Sequence, residues 1–164
     1  MQRYRLSHWQ YIRQRSGEID PAFAQPLRHS ARPRQIALQR LMAMTEGNPA
    51  YLECKSATRE AWAFVLPDLN GEGSWRIQHF DPDGFTGHTC HNSLTAATEA
   101  LIGEGYRVPD PGALDRCSAT VRWAVGVKRA ELRLQVNQGK ISWAEMAWRM
   151  QDIAGSFFGG EFSS

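Results

Sequence analysis

His79, His88, Cys90 and His91 crowd a short stretch in the middle of the chain. Imidazole and thiolate are the usual nitrogen and sulfur ligands of zinc, and an imidazole beside a thiol can turn it into a nucleophile. On a strand, His88 and Cys90 point to one face and His91 to the other. If residues 75–80 and 85–90 pair as a hairpin, His79 approaches His88. At most His79, His88 and Cys90 then meet, which describes a zinc site with an open position or a Cys90 nucleophile activated by His88. The spacing matches no established zinc pattern and there is no CxxC, so the favoured expectation is exposed residues on the solvated face of a sheet.

The same stretch holds DPDGFTGH, residues 81–88. Asp81, Asp83 and Gly84 suit a calcium loop, which also needs an oxygen ligand at its fifth position and a bidentate glutamate at its twelfth. Those positions are Phe85 and Asn92. The segment reads instead as a hairpin turn, with Asp and Gly serving turn chemistry. No GxSxG, GxGxxG, GxxxxGK[ST] or HExxH occurs in the chain, so no cofactor is expected and an enzyme is the less favoured reading.

The elements that would position these residues follow from periodicity. Residues 75–80 alternate, with Trp75, Ile77 and His79 on one face and Arg76, Gln78 and Phe80 on the other. Residues 50–55, 60–66 and 85–90 are further strand candidates, and the short turns between them imply an antiparallel meander of three to four strands. Asn92 or Ser93 caps a helix to about Ile102, which Gly103 and Gly105 end, and residues 106–108 add a short strand. One helix is expected from about Leu114 to Val136, stopped by Gly139. Ser142 and Glu145 match a capping box at the start of a last helix, with Ile141 and Met146 in the staple positions. Upstream, residues 34–46 read as a helix stopped by Gly47 and Pro49. Residues 6–15 allow a short amphipathic helix. Pro21, Pro26 and Pro33 predict an extended, poorly ordered connector between the two. The expected organisation is a basic arm over 1–33, an α+β domain over 34–158 and a flexible tail over 159–164.

Charge is segregated along the chain. Residues 1–40 carry eight arginines, no lysine, and only Glu18 and Asp20, a net of +6. Residues 41–164 carry eleven basic and fifteen acidic residues, a net of −4. An all-arginine arm suits phosphate or carboxylate, so Arg3, Arg5, Arg13, Arg15, Arg28, Arg32 and Arg34 are candidate nucleic-acid contacts, with Tyr4, Trp9 and Tyr11 able to stack on bases. A merely solubilising leader, and a start placed too far upstream, are the competing readings of that arm. The acidic body can instead mimic nucleic acid towards a basic partner, through Glu72, Asp81, Asp83, Glu99 and Glu104, with Asp110 and Asp115 alongside.

A helix-turn-helix over 128–150 is tested and set aside. Its reading helix offers Trp143, Glu145, Met146 and Trp148 with only Arg149, where a groove reader needs Arg, Lys, Asn or Gln. Trp143 and Trp148 lie about 140° apart on a helix, so one of them is expected at the surface or in an interface. No apolar run reaches membrane length and no leader peptide is apparent. Three cysteines, an odd number, fit a reducing, cytoplasmic setting without a disulfide framework.

The stretch WRIQHFDPDGFTGH followed by SLTAATEALIGEGY, spanning Trp75 to Tyr106, resembles a module of small uncharacterised proteins from bacterial plasmids, phages and integrative elements. The shared pattern is a strand, an Asp-Gly turn, a strand ending in Gly-His, and a helix closing in Gly-Tyr. The resemblance implies an accessory protein of a mobile element, of a kind that often inhibits host restriction or CRISPR machinery. It carries over no catalytic residue. The expected function is therefore a non-enzymatic interaction protein with a protein or nucleoprotein partner. A nucleic-acid binder led by the arm comes second, and a small metal- or thiol-dependent enzyme third. No membrane association is expected, and the oligomeric state is not fixed by the sequence.

Overall fold

Residues 4–15, 17–71 and 73–158 are described by a computed structural model of the chain. In order they form α1 (Ser7–Gln14), α2 (Pro21–Met44), β1 (Cys54–Ser56), β2 (Trp62–Pro67), β3 (Trp75–Asp81), β4 (Gly84–His91), α3 (Leu94–Gly103), β5 (Tyr106–Pro109), α4 (Ala113–Ser118), α5 (Val121–Asn137) and α6 (Trp143–Phe158). The strands make one antiparallel sheet in the order β4-β3-β2-β1-β5, so the protein is α+β. β1 to β4 are the expected meander, and β5 closes the sheet beyond β1. Cys54 pairs with Ala63 of β2 and with Pro109 of β5. The first strand is shorter than its apolar pattern suggested, because Ala50 makes only an isolated bridge to Val65.

Backbone contacts divide the chain into two compact units. The first runs through His79 and resumes over Gly87–Pro111. Its core joins Leu41 of α2, Cys54, Ala63 and Val65 of the sheet, Ile77 of β3, Ala97 and Leu101 of α3, and Tyr106 of β5. A second cluster joins Leu6 to Ala37, Leu38, Met42 and Ile102, with Tyr4 and Trp9 packed against it. The other unit comprises the β3–β4 tip, Phe80–Thr86, and the chain from Gly112 onward.

The connector expected across Pro21, Pro26 and Pro33 is instead the front half of α2, a helix of 24 residues. Three local features allow it. Asp20 caps the helix by accepting from the Ala22 amide, and Pro21 takes a first-turn position where no amide hydrogen bond is lost. Pro26 and Pro33 deprive the carbonyls of Ala22 and His29 of their helical donors, but both residues are exposed, so water can serve those carbonyls. Finally, Ala24, Ala31, Leu38 and Met42 recur at helical spacing and are buried, which favours the helix through tertiary packing. The helix ends as the sequence indicated. The Gly47 amide bonds the Met42 carbonyl from a left-handed φ of 91°, and the Tyr4 hydroxyl occupies the space a Cβ would need.

The N-terminal helix is fastened to the first unit rather than hanging from it. Gln35, itself buried, accepts from the Leu6 amide at 2.9 Å and donates to the Tyr4 carbonyl at 2.7 Å. Glu99 on α3 accepts from both the amide and the hydroxyl of Ser7 at 2.8 Å. A carboxylate at a helix N-terminus meets orphan donors and the positive end of the helix dipole.

The single helix expected from Leu114 to Val136 is two. α4 ends at Ser118, and Thr120 restarts the chain as the cap of α5, accepting from the Trp123 amide at 3.1 Å. Ser93 caps α3 and Ser142 caps α6 in the same way. The Glu145 carboxylate, expected to close the box at Ser142, takes the Arg149 guanidinium one turn on, at 2.6 Å. The tail beyond Phe158 lies outside the described residues.

Candidate functional site

The four central ligand candidates fold to different partners. His79 Nε2 lies 2.7 Å from a Glu104 carboxylate oxygen, and its ring tilts against that of Tyr106 at 5.4 Å. The Tyr106 hydroxyl accepts from Arg59 at 2.7 Å. His88 is exposed on β4, and His91 meets the Thr89 hydroxyl. The Cys90 thiol, also exposed, points at the Asp68 carboxylate, 3.5 Å away. His79, His88 and Cys90 are therefore not gathered into a ligand set. Among the described residues no group of three or more His, Cys, Asp or Glu could hold a metal ion.

The electrostatics of Cys90 run against nucleophilic use. Partial loss of hydration and then the Asp68 carboxylate push its thiol up, with Arg76 opposing them weakly. A thiol raised in this way holds less thiolate at neutral pH. Cys54 is more extreme, since burial pushes it up to about 12. Asp68→Asn, in a Cys117→Ser background, is expected to speed the reaction of Cys90 with a disulfide reagent several-fold at pH 8. An unchanged or slower rate would show that Asp68 does not govern the thiol.

The acidic candidates are largely engaged within the chain. Asp81 accepts from the Asp83 amide at 2.8 Å, which builds the hairpin turn. Asp83 takes Arg122 of α5 in a two-pronged contact at 3.1 and 2.8 Å. Those hydrogen bonds are the main reason its carboxyl lies below the usual range. The stabilisation from that pair is complete above the ordinary carboxylate value and fades as pH falls through the lowered one; with both side chains about half exposed it is small. Glu99 caps α1 and Glu104 faces His79. Asp110 accepts from the Trp62 indole at 2.7 Å. Asp115 sits exposed in the first turn of α4, and Glu72 lies outside the described residues.

The turn that resembled a calcium loop is a latch. Its tip docks on α5 through Asp83 and Arg122, and Gly84 (φ 123°) lies against Val127. Phe80, Phe85 and Trp123 form three edge-on contacts, with centroids 5.3 to 6.4 Å apart. Such pairs add roughly 0.5–1.5 kcal/mol each beyond the area they bury. Gly126 of α5 faces the Asp83 backbone so closely that no side chain fits there. Sequence reasoning missed this glycine; its only visible signal is a glycine inside an otherwise strong helix.

Aromatic and basic side chains are exposed as well. Trp143 and Trp148 of α6 are both 67% exposed. The helix rests on the side carrying Met146, which is buried, and Met150 and Ile153, which are partly so. Ala144 and Ala147 lie with the two rings on the outward side, and the pairing of Glu145 with Arg149 keeps those two charges within the helix. Of the arm arginines, Arg15 lies over the Tyr11 ring and near Glu18. Arg5 just before α1 and Arg13 in its last turn are exposed, and Arg28, Arg32 and Arg34 are exposed on α2 together with Arg40. Arg3 lies outside the described residues. Tyr4 and Trp9 pack inward, while Tyr11 is half exposed with Arg15 over its ring.

No described helix is long and apolar enough to cross a membrane. Comparison with protein-family models, curated proteins and solved structures finds no match to this chain.

Proposed function

We propose that the protein is a non-enzymatic interaction protein whose outward α6 face takes a protein or nucleoprotein partner. The observation that carries this reading is the simultaneous exposure of Trp143 and Trp148 on one helix. Covering the exposed two-thirds of a tryptophan, from the 150–250 Å² such a ring typically buries, contributes about 2.5–4 kcal/mol before the costs of association. Aromatic anchors amid few unpaired charges are what the centres of protein interfaces are made of. The acidic-mimic version of the idea has less support, because Asp83, Glu99, Glu104 and Asp110 already serve partners in the chain. The setting, an accessory factor of a mobile element acting on host restriction or CRISPR machinery, rests on the resemblance across Trp75–Tyr106 alone.

The test is affinity purification of the full chain beside a Trp143→Ser/Trp148→Ser variant. The unaltered chain should retain a partner in stoichiometric yield, and the variant should lose it at least tenfold with unchanged thermal unfolding. Equal yields of the same proteins from both chains would refute the reading.

A further inference from the structure

The sequence is more sharply segregated than its halves suggest. Residues 46–111 hold four basic and ten acidic residues, a net of −6, while residues 21–45 hold no acidic residue at all. That acid-free segment is α2 with Thr45 at its C-terminus, and it carries Arg28, Arg32, Arg34 and Arg40. All four are exposed, and none has a carboxylate within ion-pairing distance among the described residues. At 100° per residue, Arg28, Arg32 and Arg40 fall within about 120° of one another, on an exposed face that begins about 40° from the buried stripe of Ala24, Ala31, Leu38 and Met42. Gln25 and Gln39 share that exposed face, and Arg34 stands off it.

Like charges one turn apart, as Arg28 and Arg32 are, weaken a helix by a few tenths of a kcal/mol. A single-sign face therefore gains nothing for the fold, and its free guanidinium groups are suited to an anionic partner. Guanidinium binds phosphate with two parallel hydrogen bonds. The stripe from Arg28 to Arg40 spans about 18 Å, and that length of duplex carries roughly ten phosphate charges. Within the unit that holds α2, residues 46–79 and 87–111 carry four basic and eight acidic residues, which favours contact through the helix face alone. We propose that the exposed face of α2 binds the phosphate backbone of nucleic acid, without reading sequence. None of its residues belongs to α6, so either reading could fail without the other.

The experiment measures binding of the full chain to a fluorescent duplex across a salt series. It compares Arg28→Gln/Arg32→Gln/Arg40→Gln with a control of equal charge change, Lys55→Gln/Arg133→Gln/Lys140→Gln. Glutamine keeps helix propensity, and thermal unfolding verifies that both variants fold. The unaltered chain should bind with an affinity that falls steeply with salt. The α2 variant should lose at least tenfold in affinity and show a log–log salt slope shallower by about 2.7, the value for three lost phosphate contacts. The control should keep most of both. The Trp143→Ser/Trp148→Ser variant should bind duplex as the unaltered chain does. Absence of duplex binding, equal loss in the α2 variant and the control, or binding to phosphatidylserine vesicles but not to duplex would each overturn the proposal.

Discussion

Gly126→Ala is expected to lower stability by about 2–3 kcal/mol, although the same exchange inside most helices raises it. Gly126 sits in the middle of α5, where alanine ordinarily gains from a smaller loss of backbone entropy. Here an added Cβ would overlap the Asp83 carbonyl oxygen and lie 2.5 Å from its carbon and 2.8 Å from the Asp83 Cα. Those are backbone atoms, so no rotamer change relieves the overlap. The hairpin tip must lift from α5, which breaks the Arg122 contact and disturbs the packing of Phe80, Phe85 and Trp123. For a chain of this size the melting temperature should fall by roughly 4–12 °C. Gly155 of α6 supplies the control, because a Cβ there meets nothing within 4 Å. Gly155→Ala should stabilise by about 0.5–1 kcal/mol. If both substitutions move stability in the same direction, the close approach of the tip to α5 is wrong.

Leu41→Ala should cost about 2–5 kcal/mol, the range for removing a buried leucine side chain and leaving a cavity. Leu41 is 0% exposed and belongs to the cluster that includes Val65, Ile77, Leu101 and Tyr106. It is the α2 residue of that cluster. Its loss should loosen the back half of the helix, and with it the front half, where Pro26 and Pro33 have already removed two helical hydrogen bonds. Chemical denaturation measures the change. Leu41→Met, which nearly conserves volume, should stay within about 1.5 kcal/mol of the unaltered chain. A Leu41→Ala variant as stable as the unaltered chain would place α2 outside the core.

Local chemistry was legible in the sequence; long-range partnership was not. Ser93 and Ser142 were readable as caps because the bond they make lies within one turn. The strands of the meander were readable from alternation and from turns too short for crossovers. The front of α2 was misread because prolines act locally against a helix, whereas the burial of Ala24 and Ala31 that favours it depends on tertiary packing. The break at Thr120 was also local, yet apolar spacing on both sides hid it. The acidic candidates show the limit best. Glu99 and Ser7 are 92 residues apart, and Asp83 and Arg122 are 39 apart. Sequence spacing cannot distinguish a free carboxylate from one that meets such a partner. Trp143 and Trp148 stood differently, because a 140° separation makes it hard for one neighbour to cover both.

If the outward face of α6 takes the partner, as proposed, that face should be shielded in the complex. Hydrogen exchange on the chain alone and with its captured partner tests it most directly. The amides of residues 143–155 should gain protection in the complex, together with the adjoining turn at Gly139–Ser142. Protection confined to other segments, with α6 exchanging as in the free chain, would contradict the account.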